Sequence, residues 1–311
     1  MKRSLVALFL VVALALPTFA VPLGTSARAA LPADVQQLIC VDYRALKNSP
    51  TALALKNRVL PDSLKEFETS LTNIGIDPDN DVEQLTFASF RNPKGQLQVI
   101  GIAQGQFAMK KIMAKMKLKK MKGSKYRLST IYPMSGGQDM VFLDDFTLLF
   151  GQRKAVEAAL DARDGEAASF ASNAVLSDQM SAVQDGPVWS VLDQAGTQNM
   201  LRSTMGDAAK LADYDMVKKR ILASRYIMDF QNGVKFDLDV VTADSMTAAS
   251  MASLLKAGVM FRKMNATGVE KVALESVTVD NDSGLLKLHF KTDESRFQAL
   301  LQSDLFASMA K

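Results

Sequence analysis

The sequence predicts an α+β fold made of two tandem repeats of β-α-β-β-α-β-β-α, an antiparallel sheet with helices packed on one face. Three observations predict it: the order of strand, helix and turn signals in residues 30–170 recurs in residues 171–311, successive strands are joined by short turns, and the helical stretches are amphipathic. Short connections favour antiparallel neighbours, because parallel ones need long crossovers. Two such units make two domains or one continuous sheet.

Each half opens on a short strand, residues 37–43 after Leu31-Pro32-Ala33-Asp34 and residues 187–192 after Asp185-Gly186. Helical periodicity follows over 45–60 and 62–74 in the first half and over 196–212 in the second. A hairpin comes next. Residues 85–90 and 97–103 flank a turn at 91–95, and residues 224–230 and 234–242 flank Gln231-Asn232-Gly233. Asn-Gly is the strongest of these turn signals, since tight hairpin turns need positive φ. Amphipathic helices over 107–120 and 246–259 lead to second hairpins, turning at 135–137 and 281–284, and closing helices cover 153–163 and 294–306. The first half is expected to carry one additional strand, 147–150, because 285–290 runs directly into its helix; residues 164–173 read as the linker.

The Leu31-Pro32-Ala33-Asp34 start, the strand beside it and the loop over 75–81 resemble a group of uncharacterised exported bacterial proteins with this doubled layout. The resemblance spans nearly all of the chain after its leader. It implies a fold and a compartment, and no activity or catalytic residues.

The first residues point to export. Lys2 and Arg3 precede an unbroken apolar run over 5–16, then a stretch with Pro17 and Thr18, in the charged, apolar, cleavable order of a secretory leader. Twelve apolar residues are too few to span a bilayer, and Pro17 and Pro22 interrupt any extension. Two small-residue sites fit a leader peptidase, Thr18-Phe19-Ala20 and Ala27-Arg28-Ala29; the second, which makes residues 1–29 the leader, lies just before the chain turns globular in character. A periplasmic or extracellular location follows from this reading.

A single cysteine, Cys40, excludes an internal disulfide and reads as a buried strand residue. His289 is the only histidine, and strand alternation puts it with Lys287 and Lys291 on the polar side, opposite Leu286, Leu288 and Phe290. One His and one Cys supply no zinc set, and the chain has no nucleophile elbow and no phosphate loop. These features argue against an enzyme, and no cofactor is expected. Asp77, Asp79 and Asp81 alternate like the start of a calcium loop, but Val82 stands where the turn needs Gly and Ala88 where a bidentate Glu should close the shell, so a solvated loop is the simpler reading. Asp144-Asp145 reads as a turn.

Net charge is +4; without Lys2, Arg3 and Arg28 it falls to +1, and no nucleic-acid partner is expected. Its distribution is uneven. Residues 84–138 contain eleven basic residues and no acidic one, which leaves the rest of the mature chain at −10. Lys110, Lys111, Lys115, Lys117, Lys119, Lys120, Lys122 and Lys125 crowd one helix and its continuation, while the matching helix of the second half, 246–256, carries one lysine. Met109, Ile112, Met113 and Met116 form its apolar stripe, so the lysines should face water. Whatever the scaffold needs should recur in both halves. A basic face present in one only is therefore the candidate binding surface, with an anionic lipid, a glycolipid or an acidic protein as partner. The alternative class is a carrier of an apolar, lipid-like ligand held between sheet and helices.

Overall fold

The computed structural model describes residues 22–59, 62–92, 94–205, 218–266 and 268–303. Residues 1–21 of the expected leader lie outside them, as do the ends of the helices expected over 45–60, 196–212 and 294–306. The first described helix is α1 (Thr25–Ala29), which precedes strand β1 (Val35–Asp42). The single helix expected after it is two, α2 (Tyr43–Lys47) and α3 (Pro50–Val59). Asp42 caps the first, accepting from the Ala45 amide, and Pro50 starts the second, where a missing N–H costs nothing. Helix α4 (Asp62–Ile74) is as expected, and α5 (Pro78–Asp81) is one turn capped by Asp77.

Strands β2 (Val82–Arg91) and β3 (Leu97–Gly105) form the first hairpin and lead into α6 (Met109–Leu118). Strands β4 (Ser124–Tyr126), β5 (Ser129–Pro133), β6 (Asp139–Phe142) and β7 (Thr147–Gly151) follow, then α7 (Arg153–Arg163). Residues 164–173 are not a free linker. Phe170 is buried, its amide donates to the Leu31 carbonyl at 2.7 Å, and Pro32 bridges Ser169. Helix α8 (Ala174–Ser181), capped by Asn173, was not expected. Strand β8 (Val188–Leu192), α9 (Gln194–Met205), β9 (Ile221–Asp229) and β10 (Val234–Thr242) come next. The chain then runs through α10 (Ser245–Asn265), the unexpected α11 (Gly268–Glu275), β11 (Val277–Asp282), β12 (Leu285–Thr292) and α12 (Glu294–Leu301).

All twelve strands make one antiparallel sheet in the order β11-β12-β10-β9-β8-β1-β2-β3-β7-β6-β5-β4. At its centre β1 pairs with β8, setting Cys40 opposite Trp189 and Leu38 opposite Val191. Outward from that pair, β6 and β7 lie beyond β3 as β11 and β12 lie beyond β10. Strands β4 and β5 lie beyond β6 at the end of the sheet. Residues 147–150, expected as the extra strand, belong to β7, which pairs with β3 where β12 pairs with β10.

The expectation of helices on one face holds over β10 and β12 and fails elsewhere, since α8 packs Leu176 and Met180 on the side of Trp189 and Ile227, opposite α9 and α10; side-chain alternation gives the reason. In β10, Phe236, Leu238 and Val240 pack under α9 and α10, while Lys235, Asp237 and Asp239 point the other way. In β7 every residue is buried, so both sides need cover. Leu148 and Phe150 pack with Phe67 of α4 and with Ile112 and Met116 of α6; Leu149 lies on the opposite side, in the cluster that holds Val156 and Leu160 of α7.

Gly101 shows how close this packing is. It lies opposite Phe150, whose ring stacks on Phe67 at 3.6 Å between centroids, and a Cβ on residue 101 would stand 2.1 Å from that ring. Gly101→Val should lower the unfolding free energy by about 2–3 kcal/mol, measured by denaturant titration, because the ring has no vacant space to enter.

Candidate anionic-surface site

Helix α6 is held by Ile112 and Met116, both buried in the cluster around Phe67, Leu71, Phe107 and Phe150, with Met109 packed against it. Met113, expected on the same stripe, is 41% exposed. The helix has little local support of its own. Its N-cap is Ala108 with no side-chain bond, no acidic residue stands in its first turn, and Lys110 and Lys111 lie near the positive end of its dipole.

The C-terminus is well built. Lys120 adopts a left-handed φ of 54°, its amide donates to Lys117 O, and the Met121 amide reaches back to Met116 O at 3.1 Å. This is a Schellman closure, with Met121 packed against the same cluster as Met116. Glycine is the residue such a position favours. A lysine there costs about 1 kcal/mol relative to one without a Cβ.

All eight lysines, Lys110, Lys111, Lys115, Lys117, Lys119, Lys120, Lys122 and Lys125, are exposed. Lys115 Nζ lies 3.3 Å from Thr72 O and Lys119 Nζ lies 3.5 Å from Asn73 Oδ1, both at the C-terminal end of α4, where carbonyl dipoles favour a cation. None of the eight forms an ion pair among the described residues, so no described acid from the second half neutralises them. Arg127, at the tip of the β4–β5 hairpin, behaves differently: its guanidinium meets Asp161 at 2.6 Å and Glu166 at 2.9 Å. Two large apolar side chains stand out among the cations, Leu118 at 83% and Leu128 at 91% exposure. Helix α10 is longer than expected and carries Lys256, Arg262 and Lys263, with Lys256 3.9 Å from Asp280.

The other candidate residues have local duties. Asp77 accepts from the Asp79 amide and the Asn80 side chain, and Asp81 accepts from the Asp77 amide, so these acids of the calcium-like loop are spent on capping one turn. Among the described residues no three His, Cys, Asp or Glu side chains converge as a metal ion would need. Asp144 accepts from the Phe146 amide in the β6–β7 turn. His289 lies on the uncovered face with its Nδ1 2.7 Å from Asp237 Oδ1. Burial opposes ionisation of Asp237, but hydrogen bonds from Lys235 and His289 outweigh it and hold the carboxyl below its ordinary value. An open cleft of about 390 Å3 between the sheet and α9 mixes Gln37, Ser89, Arg91 and Asn199 with Leu97 and Leu192. Its polar half offers an apolar ligand little. No described helix is long and apolar enough to cross a membrane.

The fold and its exposed lysines define a mixed α/β protein with one antiparallel sheet and a basic outer helix. No known protein-family profile matches the chain, and no curated sequence matches it. Among solved structures it is similar to crystal form I of TP0453, with a TM-score of 0.49 and 8% identity over 92% of this chain and 98% of that one. Crystal form IV of TP0453 gives a TM-score of 0.45 at 7% identity, covering 91% and 97% of the two chains.

Two measurements check this description. Lys120→Gly should raise stability by about 0.5–1 kcal/mol in denaturant unfolding, since it removes the left-handed cost while keeping the closure. Cys40 is 1% exposed, and burial pushes its thiol up to about 12. It should therefore resist an aromatic disulfide reagent at pH 8 in the folded protein and react at once in denaturant.

Proposed function

We propose that the protein is a non-enzymatic, exported envelope protein whose basic ridge, α6 and its continuation to Lys125, docks reversibly on an anionic lipid surface. The observation that carries this reading is the set of eight exposed lysines without a described acidic partner. Like charges crowded at helical spacing repel one another, and a negatively charged surface relieves that repulsion. Each lysine brought near an acidic bilayer contributes about 1 kcal/mol, so four to six engaged together suffice for reversible, salt-dependent docking. Leu118 and Leu128 favour a lipid interface over a soluble acidic protein, because an exposed leucine between lysines gains by entering the headgroup boundary.

The architecture reads further as a duplicated α+β unit, residues 30–170 and 171–311, fused through β1 and β8. Support comes from the strand order, which leaves the centre as β2, β3, β7, β6 on one side and β9, β10, β12, β11 on the other. On that reading the lysines of α6 and the β4–β5 hairpin are features of the first copy alone, and features that a repeated scaffold does not share are where a binding role belongs.

Vesicle sedimentation tests the function. The wild-type protein should pellet with vesicles rich in phosphatidylglycerol, remain in solution with phosphatidylcholine alone, and be released at ~0.5 M salt. Replacing Lys110, Lys111, Lys117 and Lys122 together by Gln should abolish most of the binding while leaving the thermal midpoint as high as that of the wild type or slightly higher, since the repulsion is removed. A wild-type protein that stays in the supernatant with every anionic vesicle overturns the reading.

A further inference from the structure

The structure assigns the leader's cleavage to the bond after Ala20, so that the mature chain begins at Val21; this rests on the export reading and refines it. Both sites carry the small residues a leader peptidase accepts, and sequence alone leans to Ala29 because residues 21–29 look like leader. The fold gives those residues another role. Leu23, just before the N-cap Gly24 of α1, is 3% exposed, and Ala27 within the helix is fully buried. Both belong to the cluster that holds Val156 and Leu160 of α7, Phe170, and Trp189 at the centre of the sheet.

Polar contacts fix the same segment. Arg28 Nε donates to Leu23 O at 2.9 Å and its Nη2 to Gln184 Oε1 at 3.1 Å, while the Gly24 amide donates to Gln104 Oε1 at 3.3 Å. A cut after Ala29 would remove α1, uncover part of the surface around Phe170, and leave Gln184 and Gln104 without these partners. It would also take from the Ala30 amide both acceptors it has in the fold, Ser26 O and Ala27 O. A cut after Ala20 leaves all of this intact, and Pro22, next to the new terminus, is exposed. It falls four residues beyond Leu16, against thirteen for the other site, close behind the apolar run as a leader peptidase requires.

The full-length gene should be expressed in an exporting bacterial host and the protein recovered from the periplasm or medium for intact mass and N-terminal sequencing. A terminus at Val21 is expected. A terminus at Ala30 overturns this assignment while leaving export in place. Retention of Met1, or of the whole chain in the cytoplasm, overturns the export reading itself. Leu23→Ala in the same gene supplies an independent readout: the exported variant should melt roughly 4–10 °C lower than wild type, because residue 23 remains in the core. An unchanged midpoint means that residue 23 is absent from the mature protein or outside its core, and overturns the assignment.

Discussion

The antiparallel pairing of β1 with β8 is the contact on which the rest of the molecule depends. It joins residues about 150 apart in sequence, Cys40 with Trp189 and Leu38 with Val191, and extends at both ends through Asp42 N to Pro187 O and Asp193 N to Gln36 O. Without it the sheet would separate into two pieces, each with a central strand turned into a long apolar edge. The cluster around Trp189 would open with it, since α8 packs over β8 and β9 beside that seam.

Around this rigid centre, stability and surface chemistry are distributed unequally. Helix α6 accepts several unfavourable local features at once: lysines at its positive end, no acid within reach, and a left-handed lysine at its close. Each costs a few tenths to about 1 kcal/mol. Burial of Ile112 and Met116 holds the helix nonetheless. A surface that keeps such costs is shaped by something other than folding. On the opposite side of the sheet, in the second half, Lys235, Asp237, Asp239, Arg225 and His289 form a mixed field whose charges meet one another at short range.

Much of the fold was legible in the sequence. Helices α4 and α7 have the bounds that their periodicity gave, and the Asn232-Gly233 turn placed β9 and β10, because long periodic segments and obligate positive-φ turns are local signals. The β4–β5 hairpin escaped because its strands are three and five residues long and its turn, Arg127-Leu128, holds no Gly, Asn or Pro. The second layer of helices on the first half escaped for a different reason. Leu148-Leu149-Phe150 is a continuous apolar run, the mark of a strand covered on both sides, but which helices cover it depends on contacts far away in sequence. The lysines of the ridge could be counted from sequence. Their lack of acidic neighbours could not, since an ion pair is a fact of three dimensions. The role of α1 was hidden because a short stretch of small and apolar residues carries no local sign of what it packs against.

The long-range closure of the centre bears on how the chain reaches its native state. Helix α1 finds Gln184 only across 156 residues, and β1 lies between β2, its near neighbour in sequence, and β8, a distant one. A chain that emerges N-terminus first therefore cannot complete its core until nearly two thirds of it are available, and high contact order makes the final step slow. Until β8 is available, the N-terminal segment has only its nearer partners, β2, α7 and Gln104, and the Trp189 side of β1 stays an open edge.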